Sequence, residues 1–192
     1  MVRYRANMVQ IKSLFNRIFD FLFGRKPEVQ KYNFLIVCTG NTCRSPMAQR
    51  ILEQIRQVNL IEGKYIGNVE SAGTSVTEDK ASSQAIEVMR MFYGTNISDH
   101  VPQQLSQEVV DRADIILTMD ADKATTIKNK FEIGNRRVLM MSTFGNSSGP
   151  VEDPYGGSCE RYLDTAIQME AYLARGMRKL VAEKCGDRPV GS

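Results

Sequence analysis

Three short, almost wholly apolar runs, at residues 33–38, 114–119 and 137–141, alternate along this chain with stretches of helical period. A strand that is apolar at every position, not at every second one, has to be buried on both faces. That demands helices above and below the sheet, and the helical stretches supply them. Met47, Ile51, Leu52 and Ile55 recur on one face after the first run, and Ala85, Ile86, Val88 and Met89 do so within 81–92. Residues 122–131 and a long segment over 159–183 read as further helices, and 68–72 as a weaker strand stopped by Gly73. The alternation predicts right-handed crossovers and a doubly wound, four-stranded parallel α/β sheet with helices on both faces. At 192 residues the chain suits one well-cored domain, expected over 32–185, with an extension over 1–31 and a short tail over 186–192.

Ligands of such sheets bind beyond the carboxyl ends of the strands, and the first run ends there on Cys38. Cys38-Thr39-Gly40-Asn41-Thr42-Cys43-Arg44 places a cysteine and an arginine at the two ends of a tight loop, and Ser45-Pro46 opens a helix. Backbone N–H groups of Thr39, Gly40, Asn41, Thr42 and Cys43 turned inward would make an anion nest on the positive end of the helix dipole. Gly40 and Asn41 can adopt the positive φ that such a loop needs. The same field favours thiolate over thiol at Cys38, Arg44 offers a planar fork for two phosphate oxygens, and Ser45 a hydroxyl for the departing thiolate. A poor leaving group also needs a proton, and Asp153, in the turn Asp153-Pro154-Tyr155-Gly156-Gly157, is the candidate acid. Tyr155 is a face on which a substrate side chain can stack.

Together these segments resemble the low-molecular-weight protein tyrosine phosphatase family over about residues 32–185. The resemblance implies a phosphocysteine intermediate on Cys38, Arg44 on the phosphate, and Asp153 as acid first and then base for water. It implies no cofactor and no metal, and a phosphorylated protein as substrate. It assigns Ser71 and His100 to holding Asn41, gives Asp120 a structural place, and makes Cys43 a partner for a reversible disulfide with Cys38. Thr42 stands where tyrosine-directed members carry a bulky aliphatic residue and resembles the protein arginine phosphatase branch, so phosphoarginine and phosphotyrosine both stand as substrates, with Thr42 and Tyr155 forming the pocket. An arsenate reductase and a non-catalytic phosphoprotein-binding module are the competing functions. The first lacks its closely spaced downstream cysteine pair here, and the second has no use for Cys38, Arg44 and Asp153 together.

Charge and cysteine usage narrow the remaining choices. Residues 1–31 carry seven Lys/Arg against Asp20 and Glu28, so the net charge of +3 belongs to the extension and the body reads as no nucleic-acid surface. Cys38 and Cys43 have no second Cys/His pair and the chain has one histidine, which argues against zinc. The four cysteines, with Cys159 and Cys185 read as structural, suggest a reducing compartment and a cytoplasmic location. Within 8–23, Ile11, Leu14, Phe15, Ile18, Phe19 and Leu22 recur at helical spacing. This amphipathic stretch is expected to be covered by self-association or packing, or by peripheral contact with an anionic membrane.

Overall fold

The computed structural model describes residues 29–59 and 61–186, so the amphipathic stretch at 8–23, nearly all of the extension and the tail beyond Gly186 lie outside the described residues. Four strands, β1 (Tyr32–Cys38), β2 (Ile66–Gly73), β3 (Ile115–Thr118) and β4 (Arg137–Met140), form one parallel sheet in the order β2-β1-β3-β4. The helices are α1 (Arg44–Val58), α2 (Ser83–Phe92), α3 (Gln107–Asp111), α4 (Ala121–Lys130), α5 (Met141–Phe144) and α6 (Cys159–Gly186). Because β2 and β3 flank β1 on opposite sides, the chain reverses its direction of winding beside β1. The crevice left at that switch point lies at the end of Cys38.

The apolar runs are buried on both faces, as their composition requires. Leu35, Val37, Ile116 and Val138 pack with Val109, Val110, Ala124 and Ile127 on one side of the sheet. Phe34, next along β1, faces the opposite way and meets Phe144 edge-on, ring centroids 6.0 Å apart. Side chains of this size contribute about 1.5–3 kcal/mol each when fully buried.

Several boundaries differ from the sequence reading. The second helical stretch begins at Ser83 and not at 81, because Ser82 caps it by accepting from the Ala85 N–H. The stretch read over 122–131 is α4, which starts and ends one residue earlier, with Asp120 as its N-cap. Met141, read as the end of a strand, opens α5. The last helix runs past 183 to Gly186. Helix α3 and a 3-10 turn over Glu62–Tyr65 went unread, since neither is long enough to show a period. Among the described residues, no helix is long and apolar enough to cross a membrane.

Candidate active site

The loop between β1 and α1 is built by tying down its carbonyls. Thr74 N–H donates to Cys38 O at 3.1 Å, Ser75 N–H to Thr39 O at 2.9 Å and Ser82 N–H to Thr42 O at 2.9 Å. His100 Nε2 donates to Asn41 O at 2.9 Å. A trans peptide plane points its C=O and N–H in opposite directions. With the carbonyls of residues 38, 39, 41 and 42 held from outside, the N–H groups of residues 39, 40, 42 and 43 are turned toward the loop's interior. This is an anion nest at the N-terminus of a 15-residue helix.

Asn41 alone carries the left-handed turn, with φ 57°. Gly40 does not adopt positive φ, and a Cβ there would meet nothing closer than Thr42 Oγ1 at 3.5 Å. The turn is held by the Asn41 side chain instead. Its Nδ2 donates to Ser45 Oγ at 2.8 Å and Ser71 Oγ at 3.0 Å, and its Oδ1 accepts from Gln103 N–H at 2.8 Å. The strap that carries Gln103 closes on Gly73, whose N–H reaches Gln103 O at 2.8 Å. A Cβ on Gly73 would stand 2.6 Å from Thr39 O, so this approach requires glycine.

Cys38 is 3% exposed. Its sulfur accepts from Asn41 N–H at 3.2 Å and lies 3.0 Å from Ser45 Oγ. Arg44 is buried and donates to Val151 O at 3.2 Å and to the Asp153 carboxylate. Its Nε is buried without a hydrogen-bond partner among the described residues, a donor placed for an oxyanion. Asp153 is 51% exposed and also accepts from Tyr155 N–H at 3.3 Å.

Cys38, Thr39, Gly40, Thr42, Cys43 and Arg44 line a cleft of about 320 Å³. Asp153 and Tyr155 form another side of it, and Ser75, Thr77 and Glu78 the rest. The sequence-predicted site residues therefore come together, in two layers. Asn41, Ser45, Ser71 and His100 lie behind the cleft and make the bonds just described. Burial, the largest influence on His100, lowers its pKa and Arg50 acts the same way, while the bond to Asn41 O and Asp99 oppose them. Since a carbonyl only accepts, the tautomer is the one with hydrogen on Nε2. At Asp120 burial raises the pKa, but bonds from Lys123 and the charges of Lys123 and Arg44 outweigh it and hold the carboxyl below its usual range.

The sequence reading missed Gln49, Glu78, Ser82, Gln103 and Tyr162. Tyr155 OH donates to Glu78 Oε1 at 3.2 Å, and the charge of Glu78 raises the Tyr155 pKa. Tyr162 OH and Ser82 Oγ lie 3.2 and 3.3 Å from Cys43 Sγ. Burial first, and then this bond to Cys43, raise the Tyr162 pKa. No spacing rule links positions so far apart, although Ser82 before an apolar run carried a helix-cap signal. Cys159 is half-buried and donates to Glu87 Oε2 at 3.2 Å, and Cys185 is exposed. Among the described residues, no cluster of three or more His, Cys, Asp or Glu side chains is arranged to hold a metal ion.

Residues 33–185 match the family model for low molecular weight phosphotyrosine protein phosphatase. The protein-arginine-phosphatase of Bacillus subtilis strain 168 is 32% identical over 154 residues, which span 79% of this chain and 99% of that protein. The crystal structure of a low molecular weight protein tyrosine phosphatase from T. tengcongensis superposes with TM-score 0.71 at 34% identity, covering 78% of this chain and 99% of that one. A Cys-to-Ser mutant of YwlE arginine phosphatase, solved with its active-site serine phosphorylated, superposes with TM-score 0.66 at 30% identity over 81% of this chain and 97% of its own.

Proposed function

This chain belongs to the low molecular weight phosphotyrosine protein phosphatase family, and we infer that it is a protein phosphatase working through a phosphocysteine on Cys38. The observation that carries this reading is the Cys38 sulfur itself, buried at the base of the amide nest with Asn41 N–H and the Ser45 hydroxyl against it. The sulfur attacks phosphorus in line as the bond to the leaving group breaks. Arg44 and the loop N–H groups take the charge of the phosphoryl oxygens. The phosphate displaces Asp153 from Arg44, the freed carboxylate takes a proton from solvent, and the carboxyl so formed delivers it to the leaving atom. The carboxylate so formed then takes a proton from water. That water attacks the phosphocysteine, phosphate departs, and the Ser45 hydroxyl bonds the regenerated thiolate. When the Arg44 pair re-forms at the end of the cycle, Asp153 returns its proton to solvent, so charge and protons balance.

We assign phosphoarginine in proteins as the preferred substrate, with phosphotyrosine as the second reading. Two side chains on the cleft wall support the choice. Thr42 leaves room and a hydroxyl beside the phosphate, and Glu78 offers a carboxylate to a guanidinium that a phenyl ring cannot use. Tyr155 stacks on either. The test is a pair of matched phosphoarginine and phosphotyrosine peptides presented to the protein and to Thr42→Ile. We expect the substitution to lower phosphoarginine hydrolysis by roughly tenfold or more relative to phosphotyrosine hydrolysis. A parallel fall on both peptides contradicts the arginine assignment and leaves the phosphatase reading standing.

Residues 32–185 are proposed as the complete catalytic unit. For the stretch at 8–23, apolar periodicity favours cover by protein, from this chain or a second copy. The flanking Arg and Lys make an anionic membrane surface the competing sink.

A further inference from the structure

The hydrogen bonds behind the loop run in one direction, and that direction is set well away from Cys38. Gln49, half-buried on α1, gives both protons of Nε2 away, to Val69 O at 3.1 Å and to Glu53 Oε1 at 3.2 Å. A carbonyl and a carboxylate can only accept, so the amide cannot be flipped and its Oε1 faces Ser71. The Ser71 hydroxyl donates to that oxygen at 2.7 Å. Its oxygen is left to accept from Asn41 Nδ2 at 3.0 Å. The Asn41 amide is fixed from its other end, because Gln103 N–H occupies Oδ1 at 2.8 Å. The second Nδ2 proton therefore goes to Ser45 Oγ at 2.8 Å. Ser45 then accepts on one side, and its single proton is directed to Cys38 Sγ, 3.0 Å away.

We propose that Gln49 is a positioning residue for the phosphatase reaction, the terminal acceptor that, together with the Gln103 N–H on Asn41, holds the Ser71–Asn41–Ser45 relay so that Ser45 donates to the Cys38 sulfur. The proposal rests on the reading of Cys38 as nucleophile. A hydroxyl that donates favours the thiolate, whereas one free to accept favours the thiol. Ser71 is 5% exposed, so without Gln49 its proton has no acceptor. The hydroxyl must turn, and its grip on Asn41 loosens with it. Gln49 itself touches neither the cleft nor the sulfur, and its effect passes through Ser71.

Two substitutions separate this role from a merely structural one. Gln49→Met keeps the side chain's length and helix propensity but removes the acceptor. Gln49→Glu keeps an acceptor for Ser71 while removing the donors to both Val69 O and the Glu53 carboxylate, and Arg50, 2.9 Å from Glu53, tempers the added charge. The readout is kcat/KM for an aryl phosphate as a function of pH. For Gln49→Met we expect the acid limb to move up by about half a pH unit, a loss of roughly threefold at the acid end that recovers at higher pH. Gln49→Glu should restore the wild-type limb. In a Ser71→Ala background, Gln49→Met should add nothing.

The other charged or titratable groups around the sulfur are Arg44 from α1, Asp153 from the loop before α6, Cys43 in the nest and His100 behind Asn41. They are the same in every variant, so a moved limb reports the relay. Melting temperatures taken alongside check folding, and Gln49→Ala reads the same loss of acceptor if the Met variant unfolds. An unmoved limb in Gln49→Met, a Glu variant that behaves like the Met variant, or additive losses with Ser71→Ala would overturn the proposal. Wild-type protein with no Cys38-dependent hydrolysis would instead overturn the phosphatase reading.

Discussion

Single residues in this site act mostly by holding others. Arg44 and Asp153 pair with each other in the structure, so an anion that binds Arg44 has to release the carboxylate. His100 holds a loop carbonyl, and its protonation state has a consequence for stability. Its folded pKa is lowered, chiefly by burial, so folding favours the neutral ring. The stability tied to that preference is fully present above the unfolded value of about 6.5 and is lost as pH falls through the lower folded value. His100→Gln, which keeps an N–H donor but cannot titrate, is expected to flatten the fall in urea midpoint between about pH 7 and 5. An unchanged fall would mean that other groups carry it. At this scale the sequence displayed the parts whose chemistry is written in residue type and spacing: Cys38, Arg44, Ser45 and Asp153. It hid Gln49 and Gln103, because a glutamine on a helix and a backbone N–H in a strap gain meaning only from the fold around them.

At the scale of elements, the apolar runs foretold β1, β3 and β4, whereas β2, polar or part-exposed at several positions, showed only as a weaker and shorter strand. The unread pieces, α3, α5 and the 3-10 turn, are too short for periodicity and depend on tertiary contacts. Helix α6 shows how tight those contacts are, for a Cβ at Gly176 would overlap the ring of Phe144, itself buried against Phe34. Gly176→Ala gains up to about 1 kcal/mol of helix propensity but overpacks a buried aromatic ring, which costs about 1–3 kcal/mol. We expect a net loss of roughly 1–2 kcal/mol by urea titration. A stabilised variant would show that Phe144 yields easily and that α5 is loosely seated.

Over the whole molecule, the strand order places the cysteine loop at the switch point, and the Asp153 turn comes back to the same edge more than a hundred residues later. That closure was legible because two separated motifs needed each other's chemistry. The role of the extension was not, since a stripe of apolar residues states only that something covers it. Deleting residues 1–30 is expected to leave kcat/KM within about twofold, because each group assigned to the reaction lies within 38–155. Light scattering and liposome co-sedimentation of the full and shortened chains identify what covers the stripe, and liposome binding lost on deletion would make it a membrane contact. The account as a whole stands on a phosphorylated sulfur. The most direct test is to mix Asp153→Ala with an activated aryl phosphate, quench in alkaline denaturant, where a phosphorus–sulfur bond survives, and map the phosphate by mass spectrometry. Without its base the variant should accumulate phosphate on Cys38 and on no other residue. Turnover with no protein-bound phosphate, or phosphate found elsewhere, would contradict the mechanism.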